Sequence, residues 1–209
     1  KQKTAYEISL GLVGSEMCIR DRFHAAGRED VDARVLGTGR PFVLEIKNPK
    51  RRTLNLEEAA SEINSSGKVE VEGLRLTDRR AVARVKAAEA TAKTYQIIVE
   101  AEEDLKAEEL ERLEQFFTGR VISQRTPRRV LHRRADKERI KNVYRLSIKQ
   151  ISGRRFEAFI ECQGGLYVKE LVDGDEGRTK PSMAEVLGKK LKCISLTVLK
   201  VDMGEKGEG

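Results

Sequence analysis

Between Gly27 and Pro41 the chain reads GREDVDARVLGTGRP, which sets Glu29, Asp30 and Asp32 among Arg28, Arg34 and Arg40 with three glycines. A carboxylate kept ionised by a neighbouring cation can act as a nucleophile or a general base, and glycines let the backbone approach a ligand closely. The same string also suits a surface turn whose charges pair with one another. A second polar cluster, ECQGGLYVKELVDGDEGRTKPS, places Lys169 just after an apolar run and follows it with Asp173, Asp175, Glu176 and Arg178. Between Arg120 and Arg139 lie eight basic residues against two acids, with Arg125, Arg128, Arg129, Arg133 and Arg134 around Pro127. Arginine forks in such a loop fit phosphate oxygens, and a solvated charged face is the plain alternative. Tyr95 lies in an apolar strand pattern, where an aromatic serves packing or stacking. Other chemistries lack their residues: no phosphate-binding Gly-x-x-x-x-Gly-Lys-Ser/Thr occurs, and His24, His132, Cys18, Cys162 and Cys193 make neither a nucleophile pair nor a zinc spacing.

The elements that must carry these residues can be read from periodicity. FVLEI (42–46), KVEVEGLRL (68–76), KTYQIIVEAE (93–102), YRLSIKQI (144–151), RRFEAFIEC (154–162) and LKCISLTVLKVDM (191–203) alternate as strands, the fourth and fifth forming a hairpin across Ser152-Gly153. Helices are expected after Asn55, after Thr77 or Asp78, and through AEEDLKAEELERLEQFFTG, whose Leu105, Leu110, Leu113 and Phe116 form one face. Two shorter helices are expected, one in GGLYVKELV and one started by Pro181. Phe23 to Gly39 and the basic run after Val121 are expected to be loops. Hairpins with interspersed helices argue for an α+β fold with a mixed, mostly antiparallel sheet and flanking helices.

The chain is 39% hydrophobic and 36% charged with a formal net charge of +7, a folding composition whose first candidate partner is a polyanion. No apolar run is long enough to cross a bilayer, so no membrane association is expected, and the unpaired cysteines suggest reduced thiols and a cytoplasmic setting. The first 22 residues read differently. KQKTAYEI back-translates to AAG CAG AAG ACG GCA TAC GAG AT, which looks like the flow-cell end of a short-read sequencing adapter, and LVGSEMCIRDR resembles a transposase-linked adapter. A signal peptide fits poorly, because SLGLVG is short and Glu7 precedes it. Residues 1–22 are therefore expected to be a non-native adapter-derived segment, 23–203 a domain truncated at its N-terminus, and 204–209 a flexible tail.

GREDVDARVLGTGRPFVLEIKNP, QRTPRRVLHRRAD and CQGGLYVKELVDGDEGRTKPSMAEVLG, in that order, resemble the archaeal and eukaryotic family of pseudouridine synthases acting on tRNA positions 54 and 55, the tenth-numbered Pus family. The resemblance implies a pseudouridine-synthase-like catalytic domain, partial here, that works on the T arm of tRNA with no cofactor, no metal and no obligatory protein partner. It implies that Asp30 is the essential aspartate, with Asp32 the lower-ranked alternative and Arg28 in its Arg-x-Asp setting. Tyr95 matches the active-site tyrosine that packs on the base and is proposed as a general base. Lys169 stands where the bacterial T-loop enzyme has the Arg of Gly-Thr-Tyr-Ile-Arg, a point charge in place of a fork. Val168 takes the aliphatic place, Leu196 or Leu199 the other apolar contact, and Arg125, Arg128, Arg129, Arg133 and Arg134 the RNA backbone. An RNA-binding module without catalysis is the competing expectation.

Overall fold

The structure is a computed structural model and describes residues 22–27, 33–47 and 53–202, which fall into two units. In the first unit, strands β1 (Arg22–Ala25) and β3 (Phe42–Glu45) pair antiparallel, with the rings of Phe23 and Phe42 stacked at 5.3 Å. A strand at β1 departs from the loop expected there: the short stretch Phe23 to Ala25 is held by its ladder to an apolar partner. Helix α1 (Leu56–Ser65) starts where Asn55 Oδ1 accepts the N–H groups of Glu57 and Glu58, and helix α2 (Arg79–Ala87) where Asp78 Oδ1 accepts that of Arg80 at 2.8 Å.

Residues 68–76 alternate as a strand should, yet they join no ladder. The side-chain amide of Asn64 takes the place of a partner strand: Val71 N–H donates to its Oδ1 at 2.7 Å and its Nδ2 donates to Val71 O at 3.0 Å. Val69, Val71 and Leu74 then pack with Ile63, Phe23, Phe42 and Leu44, so the apolar period is satisfied against a helix and a two-stranded ribbon.

The second unit is built on a seven-stranded sheet in the order β2-β9-β4-β7-β6-β5-β8. Its members are β2 (Ala33–Val35), β4 (Ala92–Ala101), β5 (Val121–Arg125), β6 (Glu138–Ser152), β7 (Arg155–Gln163), β8 (Thr179–Lys180) and β9 (Leu191–Val201). Neighbours run antiparallel except β2 with β9, which gives the mixed, mostly antiparallel α+β architecture expected. Tyr95, Ile97 and Val99 of β4 and Phe156, Ala158 and Ile160 of β7 alternate into the core. Helices α3 (Ala107–Phe117), α4 (Val168–Asp173) and α5 (Met183–Leu187) contribute Leu113, Phe117, Leu171 and Met183 to it.

Several boundaries differ from expectation: β2 lies in the stretch expected as loop, and β6 begins at Glu138 and not at Tyr144. The stretch VISQR, expected as loop, is strand β5, because Ile122 and Gln124 alternate inward and are almost fully buried. Helix α3 begins only at Ala107, where Glu109 Oε2 accepts the N–H of the N-cap residue Lys106 at 2.9 Å. Helix α5 is started by Ser182 and not by Pro181: Ser182 Oγ accepts Glu185 N–H, and the Glu185 carboxylate accepts Ser182 N–H. Beyond the reach of β5, the edge of β6 is covered by α3, where Thr118 Oγ1 accepts Leu146 N–H and Glu114 Oε2 accepts Ile148 N–H.

Candidate active site

In the second unit, a cleft is lined by Ala33, Tyr95, Arg129, Leu166, Val168, Lys169 and Leu196. Three neighbouring strands make one wall: β2 gives Ala33, β9 gives Leu196 directly opposite it in register, and β4 gives Tyr95, which is buried. The turn after β7 and the first residues of α4 make the other, with Leu166, Val168 and Lys169. Of the residues expected in a site, Tyr95, Val168, Lys169, Leu196 and Arg129 therefore meet, although up to about a hundred positions separate them in sequence. Arg28, Asp30 and Asp32 lie outside the described residues. The described chain resumes at Ala33, three positions after Asp30 and on the cleft wall. Ala33 and Leu166 carry no chemical signal in the sequence, being small and apolar.

What places Lys169 is a set of polar contacts around the turn before it. Gly164 passes so close to the carbonyls of Glu89 and Thr91 that a Cβ there would lie 2.1 Å from the first, and its N–H donates to Thr91 O at 2.9 Å. Lys141 Nζ donates to Gly164 O at 2.7 Å, and burial, reinforced by nearby Arg139, pushes the Lys141 ammonium below its ordinary pKa. Gln124, almost fully buried in β5, grips the Tyr167 backbone from both sides: Oε1 accepts Tyr167 N–H at 2.8 Å and Nε2 donates to Tyr167 O at 2.9 Å. The same Nε2 donates to Thr179 Oγ1 at 3.2 Å, so β5 and β8 together fix the start of α4.

The arginine loop divides. Arg129 lines the cleft, and its Nε and Nη2 donate to the two oxygens of Glu170 at 2.5 and 3.3 Å. Glu170 is next to Lys169 and its side chain is only 5% exposed. The other arginines lie away from the cleft lining. Arg125 pairs with Asp136 at 3.0 Å, Arg128 pairs with Glu176 while its N–H donates to Asp175 Oδ2, and Arg134 Nη1 donates to Tyr167 Oη at 3.2 Å. Arg133 is exposed in the same loop. The acids after α4 sit in a turn where Gly174, Asp175, Glu176 and Gly177 all have positive φ, and Arg178 ties that turn to Thr126 O and to Asp136. Burial raises the Asp173 carboxyl above its usual range, although its oxygen accepts Asp175 N–H. Neither Gln124 nor Glu170 was singled out from sequence. The available signal was a polar residue at an inward position of an apolar run.

Chemically, the cleft offers an aromatic ring and aliphatic side chains that suit a flat ring, with an ammonium and a guanidinium at its wall that suit an anion. Among the described residues, no group of three or more His, Cys, Asp and Glu is placed to hold a metal ion.

A family model described as "Pus10, C-terminal" matches residues 8–202. The chain is 48% identical over 189 residues to a tRNA pseudouridine synthase Pus10 of Methanocaldococcus jannaschii, covering 89% of this chain and 41% of that protein. It is 50% identical over 201 residues to a protein of the same name from Korarchaeum cryptofilum, covering 91% of this chain and 53% of that protein. The chain thus spans about half the length of these relatives. Among solved structures, an archaeal box H/ACA sRNP Nop10-Cbf5 complex matches with a TM-score of 0.57 at 14% identity, over 98% of this chain and 44% of that one. A Cbf5-Nop10-Gar1 complex matches at 0.56 and 17%, over 85% and 39%, and at such identities the likeness concerns the fold.

Proposed function

The chain belongs to the Pus10 C-terminal family, and from that premise we propose that it is the catalytic part of a tRNA pseudouridine synthase, isomerising uridine in the T arm at position 54, 55 or both. The observation that carries this reading is the meeting of Tyr95, Val168, Lys169 and Leu196 in one cleft, with Ala33, just after the Asp30 segment, on its wall. The relatives' shared name supports the substrate class.

The reaction breaks the N1–C1′ bond of uridine, turns the uracil, joins C5 to C1′ and passes the C5 proton to a base, with N1 gaining a proton. Composition is unchanged, so the isomerisation balances without an external reactant. In this reading the Asp30 carboxylate attacks the nucleotide or takes a ribose proton, and the Lys169 ammonium favours its charged form. Tyr95 offers a ring against which a flipped uracil packs and, as the proposed general base, a place for the C5 proton. The apolar side chains of Val168, Leu166 and Leu196 keep water from the base. Arg125, Arg128, Arg133 and Arg134 meet RNA phosphates by shape and charge. We place the domain at 23–203, with 1–22 as adapter-derived, and the protein in the cytoplasm.

The test is tritium release from a C5-labelled tRNA transcript, comparing the chain with its Asp30→Ala variant. Release by the first and none by the second is expected. Equal release moves the role to another residue, Asp32 first. No release from either, with tight tRNA binding, favours an RNA-binding module without catalysis.

A further inference from the structure

Arg129 shares its loop and its charge with Arg125 and Arg128, but its carboxylate partner is different in kind. The acids facing Arg125 and Arg128 have 34% and 73% of their side chains exposed, whereas Glu170 has 5%. An exposed pair gains little over hydration, so either arginine can exchange its acid for a phosphate oxygen at small cost. A buried carboxylate has given up its water and has the guanidinium as a fixed partner, so an exchange there strands a charge. The contact is also two-pronged, and two parallel donors to two oxygens fix the plane of the guanidinium as well as its position.

The sequence position of Glu170 adds a second consequence. It follows Lys169 in α4, the helix whose start Gln124 grips through Tyr167. One short helix therefore delivers the Lys169 ammonium to the cleft and, through the next residue, orients a second cation on the same cleft's lining.

We propose that Glu170 is a positioning residue and that Arg129, held by it, acts inside the cleft on an acceptor oxygen of the flipped nucleotide, apart from the phosphate grip of the outer arginines. This rests on the proposed function. It separates Arg129 from Arg128 although the two are adjacent in sequence and identical in charge.

Two measurements test it. In tRNA binding across a salt series, Arg128→Met should lower affinity and reduce the slope of log K against log salt by about one unit, while Arg129→Met should leave the slope at its starting value. The double variant Arg129→Met/Glu170→Leu removes the Glu170 carboxylate together with the guanidinium and carries the same expectation where the single variant folds poorly. In single-turnover tritium release at saturating protein, Arg129→Lys and Glu170→Gln should each lose about 10- to 100-fold in rate at unchanged tRNA affinity, because charge or shape is kept while the fork is lost. A slope that falls for the Arg129 variants as it does for Arg128→Met, or a full rate for Arg129→Lys, overturns the proposal. Absence of turnover in the unmodified chain would instead count against the proposed function, and the salt series would still decide whether Arg129 belongs with the outer arginines.

Discussion

The start of helix α4 and the arginine loop beside it use the same materials, arginines facing carboxylates, and differ in burial. Around α4, Gln124 and Glu170 are almost fully buried, and each makes at least two hydrogen bonds to one partner residue. In the outer loop, Arg125, Arg128, Asp136 and Glu176 are a third or more exposed and pair in water. Removing one member of a buried set strands the others in a low dielectric, whereas an exposed pair that separates is rehydrated. The inner contacts are thus suited to holding a geometry and the outer ones to being exchanged for RNA.

The strongest break of this contrast comes from the inner pair. Arg129→Met leaves Glu170 buried without its cation and is expected to cost about 3 kcal/mol of stability, measured by denaturant unfolding at neutral pH. Arg129→Met/Glu170→Leu should recover most of that deficit, because the buried carboxylate is removed along with its partner. A loss below about 1 kcal/mol at neutral pH would place Arg129 with the outer arginines. Next in size is Gln124→Leu, which keeps an apolar volume but leaves the N–H and C=O of Tyr167 without Gln124. A loss of about 2 kcal/mol is expected. Hydrogen exchange should show it as opening at the start of α4; an unchanged exchange pattern there would mean that Gln124 does not hold the turn.

The same contrast explains what the sequence made legible. Tyr95, Val168 and Lys169 can be named from the family resemblance, and Leu196 as one of two alternatives with Leu199; the cleft brings these four together. Gln124 and Glu170 cannot be named so. A polar residue at an inward position shows that it needs a partner without showing which, and theirs come from 41 or 43 positions away. Strand β5 is hidden for a related reason: five residues of modest apolarity run into an arginine-rich loop, and their ladders to β6 and β8 make them a strand. The stretch 68–76 erred in the other direction. Its alternation marks a buried face, but the partner is an asparagine side chain and a helix face, which periodicity cannot distinguish from a neighbouring strand.

The outer pairs should respond weakly in stability and clearly in binding. Glu176→Gln removes the carboxylate facing Arg128, and unfolding should shift by no more than about 1 kcal/mol. The affinity for tRNA at low salt should rise, because Arg128 no longer exchanges an internal anion for a phosphate, and the gain should fade as salt screens the loop. If binding is unaltered at low salt, the acid turn is a structural rim with no bearing on RNA.

The smallest effect is expected where burial is intermediate. Glu109 at the start of α3 accepts Lys189 Nζ at 2.7 Å and the backbone N–H of Lys106 at 2.9 Å, with 23% of its side chain exposed. The hydrogen bond from Lys189, and next that from Lys106, hold its carboxyl below the ordinary glutamate range. A carboxyl whose folded pKa is lowered gives its full stabilisation above the unfolded value, near pH 4.3, and loses it as pH falls through the folded one. Glu109→Gln should therefore narrow the gap between unfolding midpoints measured at pH 6 and at pH 3, with the two proteins converging at the acid end. Lys189→Met should narrow it less, because the Lys106 N–H still favours the carboxylate. Equal narrowing by both would assign the whole shift to the ion pair and move Glu109 toward the buried class that Glu170 represents.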